Sequence, residues 1–396
     1  MWRLTNARFT MPVINAIAEF ADQVAEWRRD FHAHPEVQYD VHRTAGRVAE
    51  LLRSFGVDEV VTGVGRSGVV GVINGRGPGR TIGLRADMDA LPITEKTGKP
   101  YGSATPGRMH ACGHDGHTAM LLGAARYLAE TRNFTGRAVL VFQPAEEGGA
   151  GGKAMLEDGL MERFGIEEIY GLHNMPGTPA GHFGVRAGGI MAASDAFDIV
   201  IEGEGGHAAI PHNTVDPVLI AAHMITALHS IVSRDIDPMK SAVLSVTMLQ
   251  AGEAFNIIPR TVKLTGTVRT LDEAIRTYME ERLRGVAEGI AQTFGGKAVV
   301  SYRRGYPVTV NSPDEAAFAA EVAAAVAGDE RVDANADAKM GGEDFSYMLQ
   351  ARPGAYIFLG NGPSSELHSD TYDFNDDIIP VGVSYWVKLV ESAARR

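Results

Sequence analysis

The spacing of apolar positions along the chain changes period several times. In the first half, short β-branched runs at Gly68–Ile73, Thr81–Ala86, Ala138–Phe142 and Ile169–Leu172 alternate with helical patterns at Ala16–Phe31, Thr44–Phe55, His117–Thr131 and Gly152–Asp158. The same alternation returns near the C-terminus as a helical pattern over Pro313–Ala327, an apolar run Ala355–Leu359 and a last helical pattern Val381–Ala394. Continuous apolar runs separated by amphipathic helices predict an α/β layer with a largely parallel sheet.

The middle of the chain reads differently. Ser194–Glu202 alternates like a strand with one solvated face, a helix follows over Asp216–Val232, and two strands are predicted at Ala242–Leu249 and Thr261–Thr270. A second helix over Leu271–Phe294 leads to a last strand, Ala298–Arg303. That order, β-α-β-β-α-β, is the split ferredoxin-like unit. Gly188-Gly189 before it and Gly305-Tyr306-Pro307 after it supply chain breakers. The expectation is an inserted domain at 192–305 interrupting one discontinuous α/β domain, 1–191 with 306–396.

Length and composition narrow the class. At roughly 150 residues per domain, 396 residues suit two or three domains. Cys112 is the sole cysteine, so no disulfide closes within the chain, which suits a reducing, intracellular and cytoplasmic setting. The net charge of −12 disfavours nucleic acid or an anionic membrane as partner. No run approaches the roughly 20 apolar residues of a membrane span. The N-terminus carries Arg3 and Arg8 without an apolar core and does not read as a signal peptide; residues before Met11 read as an extension outside the fold.

Chemistry concentrates where the apolar runs end. Asp87 and Asp89 follow the run at 81–86, Glu146 and Glu147 follow 138–142, His173 follows 169–172, and His368 lies beyond 355–359. In an open α/β sheet, ligands collect beyond the carboxyl ends of the strands. MHACGHDGH (109–117) places Cys112 and His114 one glycine apart, so both can face one site; thiolate and imidazole suit a borderline divalent ion such as zinc. A buried cysteine can also be a small core residue, and His110 and His117 read as packing or supporting residues as readily as ligands. Neighbouring side chains diverge, so of Glu146 and Glu147 one can bind metal while the other takes a proton from water; alone, the pair also reads as a solvated acidic turn.

RADMDALP (85–92), MHACGHDGH, FQPAEEGGAGGKAM (142–155), GLHNMP (171–176), GGHAAIPH (205–212), FNIIP (255–259), GTVRT (266–270), GGEDFSYM (341–348) and LHSDTYDFND (367–376) occur in order. Together they resemble the aminoacylase-related co-catalytic metallopeptidase family, and within it the amidohydrolase branch that includes hippurate and indole-acetyl-amino-acid hydrolases. The resemblance implies a metallopeptidase-type α/β catalytic domain with an inserted ferredoxin-like lid and dimerisation domain, and a homodimer formed through it. It implies metal ligands at Cys112, His114, Glu147, His173 and His368 for two divalent ions, manganese or zinc with cobalt or nickel also compatible, and Cys112 as bridge. It further implies Glu146 as general base and acid, Asp89 orienting a ligand, His207 stabilising the oxyanion, and Asn256 and Arg269 meeting the substrate. Asp87 stands where broader family members carry a histidine ligand and is not counted among the ligands. The implied activity is hydrolysis of the amide of N-acyl amino acids, with a dipeptidase or a non-catalytic metal-binding homologue as alternatives.

Overall fold

The computed structural model describes residues 13–393. The extension expected before Met11 and the final residue of the helix expected to reach Ala394 lie outside the described residues. The chain divides into two compact units: Met1–Gly188, Val310–Asp337 and Tyr347–Arg396 form the first, Gly189–Thr309 and Ala338–Ser346 the second.

The first unit is built on an eight-stranded sheet. Its spatial order is Glu59–Val64, Gly68–Asn74, Arg137–Gln143, Thr81–Asp87, Glu168–Pro176, Gly354–Gly362, Phe183–Gly184, Val332–Asp333. The four central strands, from Arg137–Gln143 to Gly354–Gly362, run parallel to one another, whereas the outer pairs on the Gly68–Asn74 side are antiparallel. Strand Thr81–Asp87 is buried along its whole length, as burial on both faces demands of a continuous apolar run. Strand Glu59–Val64 has no apolar-run signature because it is a half-exposed edge, and its register shifts between Thr62 and Val64.

Helix His114–Thr131 supplies the centre of this core, with Ala119, Met120, Leu121, Leu122 and Leu128 all buried. It begins three residues before the position that periodicity marks. Gly113 adopts φ +90° and turns the chain, which brings His114 into the first helical turn. The N-terminal helical pattern is split into Asn15–Ala18 and Ala21–Ala33 because Phe20 leaves helical geometry.

The second unit holds a four-stranded sheet in the order Ala242–Ala251, Thr261–Thr270, Ala193–Glu202, Lys297–Arg304, every pair antiparallel. Numbered along the chain this is the order 2-3-1-4 of a ferredoxin-like sheet. Two helices cover one face. Asp216 caps Pro217–Ser230 by accepting the N–H groups of Val218 and Leu219, and Asp272 caps Glu273–Thr293 in the same way through Ala274 and Ile275. Ile220, Met224, Met279 and Leu283 from the helices meet Phe197, Ile199, Ile201, Leu264 and Val268 from the sheet in one core. Each such side chain contributes about 1.5–3 kcal/mol on burial.

Two differences from the sequence pattern concern this unit. It takes up 338–346, which the expected boundaries leave with the flanking domain, because Ala192 donates to the carbonyls of Lys339 and Gly341, and Lys339 donates to Ile190. In addition, Pro217–Asp235 is long and apolar enough by length and composition to cross a membrane, although no residue run suggested one. Its inward residues are the core positions just named.

Candidate metal centre

The parallel strands of the first unit deliver their side chains to one edge. Cys112, His114 and His173 offer ligand atoms that lie together, as do Cys112, Glu147 and His368, and His114, Glu146 and Glu147. Cys112 is common to the first two groups. All five residues expected as ligands therefore meet in one place, with Glu146 and Asp89 beside them.

Gly113 permits the Cys112–His114 turn. A Cβ at this position would run into the side chains of Asn174 and Tyr372, so the turn needs glycine for space as well as for its positive φ. The two imidazoles that follow are oriented alike. His114 Nδ1 donates to the carbonyl of Asp89 at 2.8 Å, and His173 Nδ1 donates to the carbonyl of Asn174 at 2.6 Å. Each ring thus presents Nε2 to the cluster, and the His173 Nε2 lies 3.4 Å from Cys112 Sγ. Holding one ring nitrogen by a carbonyl so that the other faces a metal is a recurrent support for histidine ligands.

Glu146 and Glu147 sit on a loop bracketed by Ala145 and Ala150, both in left-handed conformation. Asp89 accepts the Glu146 amide at 2.9 Å on one oxygen and the Glu147 amide at 3.2 Å on the other. Glu147 Oε1 lies 3.2 Å from His368 Nε2 and 4.0 Å from His114 Nε2. His368 is itself held by its backbone, which donates to the carbonyl of Ala111 at 2.8 Å.

The electrostatics are those of a crowded donor set. Burial and the Glu147 carboxylate push the Cys112 thiol up. Hydrogen bonding to Cys112 and Glu147 pushes His368 up to about 10. Burial, aided by His117, drives His173 well below the imidazole range. Burial opposes charging of His114, but Asp87 and Cys112 outweigh it and raise its pKa. His114 Nε2 is buried without a hydrogen bond, and the buried Glu147 Oε1 faces His368 Nε2. A buried imidazole nitrogen without a partner, beside a thiol, a carboxylate and two further imidazoles, fits a divalent cation.

Asp87 and His117 are placed differently. Asp87 Oδ1 accepts His117 Nδ1–H at 2.6 Å and Oδ2 accepts Arg85 at 2.7 Å. The remaining nitrogen of His117 accepts the backbone N–H of Asn174 at 3.0 Å. Both ring nitrogens of His117 are therefore committed, and it supports the centre without facing it. Asn174, part of the GLHNMP motif but given no role there, also donates to the carbonyl of Cys112 at 2.7 Å and accepts the Tyr372 hydroxyl at 2.6 Å. His110 is buried, with neither ring nitrogen hydrogen-bonded, and burial lowers its pKa to about 3.

His207, Asn256 and Arg269 lie in the second unit. His207 is exposed on a two-residue strand paired with Ile257, and the carbonyl of Asn256 accepts the Ala208 N–H at 3.1 Å. Arg269 is half-buried on Thr261–Thr270 and donates to Thr267 and to the carbonyls of Val268 and Asp195.

A thiol, three imidazoles and paired carboxylates at the carboxyl edge of a parallel sheet define a metal-dependent hydrolase. Residues 83–392 match the model of Peptidase family M20/M25/M40, and the chain belongs to that family. It is 43% identical over 379 residues to a hippurate hydrolase of Campylobacter jejuni, covering 95% of this chain and 98% of that one. It is 38% identical over 373 residues to an N-acetylcysteine deacetylase of Bacillus subtilis, covering 93% and 96%. A crystal structure from Bacillus subtilis, described as a dinuclear metal-binding peptidase of the M20 family, superposes with a TM-score of 0.85 at 33% identity, covering 96% of this chain and 99% of that one.

Proposed function

We propose that this enzyme hydrolyses the amide bond of N-acyl amino acids, with Glu146 moving the proton. The observation that carries the reading is the pairing of Glu146 and Glu147 on one loop whose two amides are both tied to Asp89. Glu147 reaches toward Cys112 and His368, and its neighbour Glu146 is assigned to proton transfer. Similarity along nearly the whole chain to a hippurate hydrolase and an N-acetylcysteine deacetylase supports the substrate class.

Cys112, His114, Glu147, His173 and His368 would hold two divalent ions, and Cys112 belongs to two of the ligand groups. The thiol and imidazoles suit zinc, the carboxylate company suits manganese, and cobalt or nickel is compatible. Bound there, such ions polarise a carbonyl and acidify water. Glu146 accepts the proton of the attacking water as the C–O bond forms, and returns it to the departing nitrogen as the C–N bond of the resulting tetrahedral oxyanion breaks. The products are a carboxylic acid and a free amino acid.

The inserted unit acts as lid in this reading. His207 Nδ1 accepts the Ala209 N–H at 3.1 Å, so the neutral ring carries its proton on Nε2, which is the donor assigned to the oxyanion. Asn256 is assigned to the substrate. Arg269 makes no ion pair among the described residues and is assigned to the substrate carboxylate. A homodimer through the same unit is supported by its edge strand Ala242–Ala251, which exposes Val243, Met248 and Leu249. The sole cysteine, needed here as a ligand, supports a reducing cytoplasmic setting.

The test is Glu146→Gln in the metal-loaded enzyme, assayed on hippurate, N-acetyl amino acids, indole-acetyl conjugates and dipeptides. Turnover falls at least about 100-fold with metal content unchanged; retained turnover overturns the assignment.

A further inference from the structure

The loop that carries Glu146 and Glu147 is gripped from a second side by a segment far away in the chain. Residues 36–39 connect the helices Ala21–Ala33 and His42–Ser54 and run beside the turn that follows Asp89. The carbonyl of Glu36 accepts the Ala90 N–H at 2.7 Å, and Val37 forms a parallel bridge with Ala90. Gln38 Nε2 then donates to the carbonyl of Glu147, and the Tyr39 hydroxyl donates to the carbonyl of Gly149 at 2.8 Å. Tyr39 is propped in turn: Ser67 donates to its carbonyl at 2.8 Å, and the Arg66 guanidinium lies 4.3 Å from its ring centroid.

Backbone conformation gives an independent observation. Among the described residues, six that are not glycine have positive φ: Gln38, Arg66, Arg132, Ala145, Ala150 and His368. Arg132 ends a helix. The other five lie in this segment, in its prop, at both ends of the Glu146–Gly149 loop, and at His368. Residues held in such a region cost conformational energy and persist where the surroundings need them. Gln38, at φ +55°, occupies a position where glycine would be preferred, so its side chain is the reason to keep it. Gly149 complements it, because a Cβ there would run into Gln38 Oε1.

We propose that Gln38 and Tyr39 are positioning residues for the reaction. They hold the Glu146–Gly149 main chain by its carbonyls while Asp89 holds it by its amides, so the two carboxylates project in fixed, different directions. The inference rests on the reading of Glu146 as proton carrier and Glu147 as ligand. A loop clamped on one side only would let Glu146 wander from the attacking water, and misplacement of about 1 Å can cost around 100-fold in rate.

The experiment compares metal-loaded wild type with Gln38→Gly, Gln38→Ala, Tyr39→Phe and Glu146→Gln, measuring kcat, KM, melting temperature and bound metal. Gln38→Gly removes the donor and relaxes the backbone together, so kcat falls at least about tenfold while the melting temperature is unchanged or higher and the metal content is full. Gln38→Ala shows the same fall in kcat, and Tyr39→Phe a smaller one. A merely structural role predicts the reverse, a lowered melting temperature with kcat per folded enzyme intact. A Gln38→Gly enzyme within about twofold of wild-type kcat overturns the proposal when Glu146→Gln is inactive. An active Glu146→Gln enzyme overturns the parent reading instead.

Discussion

Asp89 and Glu146 stand 57 positions apart in sequence, yet the carboxylate of the first accepts the backbone N–H of the second at 2.9 Å. The same carboxylate takes the Glu147 amide, and its own backbone carbonyl takes the Nδ1 proton of His114. One buried aspartate thus fixes Glu146, Glu147 and His114 relative to each other. Burial raises its pKa, and His114 and the Glu146 amide partly offset it.

Replacing that carboxylate by an amide tests this directly. In Asp89→Asn one oxygen remains, and the side-chain NH2 faces a backbone N–H that it cannot accept. Turnover and metal affinity both fall, about 10- to 100-fold. Steady-state kinetics and metal titration by calorimetry check the outcome.

Metal removal has an effect on stability as well as on activity. Without a cation the buried His114 Nε2 has no hydrogen-bond partner. Chelation therefore abolishes hydrolysis and lowers the melting temperature, and adding manganese or zinc restores both. Free metal at 100 times its dissociation constant adds about 2.7 kcal/mol by mass action. Thermal scans across a metal titration measure it.

Gly113→Ala separates backbone strain from collision when set beside Gly107→Ala. Both glycines have positive φ, +90° and +75°, but Gly107 has open space around it while Gly113 faces Asn174 and Tyr372. Gly107→Ala costs about 1 kcal/mol. Gly113→Ala costs more than about 2 kcal/mol and loses metal, because Cys112 and His114 flank the strained position. Denaturant titration and metal analysis of the two variants check this.

A buried charge cluster behind the centre gives a pH signature. His32 is fully buried, with Nδ1 2.9 Å from Asp115 and Nε2 3.3 Å from Glu95. Burial opposes its charge, but hydrogen bonds to Asp115 and Glu95 prevail and push its pKa up to about 9. The folded value lies above the ordinary 6.5, so the stabilisation is complete below pH 6.5 and is lost as pH rises through about 9. The rise corresponds to at most about 3 kcal/mol. At saturating metal, the stability difference between wild type and His32→Asn therefore shrinks from pH 6 to pH 10 in denaturant titrations. A difference that stays constant removes His32 as its source.

Local patterns show how far the sequence reaches. The helix over Pro313–Ala327 and the strand over Thr261–Thr270 have the bounds that periodicity predicts, because the N1 proline, the closing Gly328 and the strand alternation are written in adjacent residues. Of the expected ligands, Glu147 follows the strand Arg137–Gln143 and His173 lies in the strand Glu168–Pro176, where an apolar run gives way to polar chemistry. By contrast, the edge strand Glu59–Val64 has no apolar signature, and the helix start at His114 depends on one glycine turning the chain.

Composition, period and motif order determined the α/β class, the interrupting β-α-β-β-α-β segment and the residue types able to bind metal, since each is a property of neighbours along the chain. Tertiary structure alone decided that Asp87 and His117 pair with each other, that Asn174 ties Cys112 to Tyr372, that 338–346 joins the second unit, and that Gln38 and Tyr39 grip the carboxylate loop. Those relations are hydrogen bonds between segments often many tens of residues apart. Their partners are selected by how whole strands and loops come together, a geometry that no spacing along the chain records.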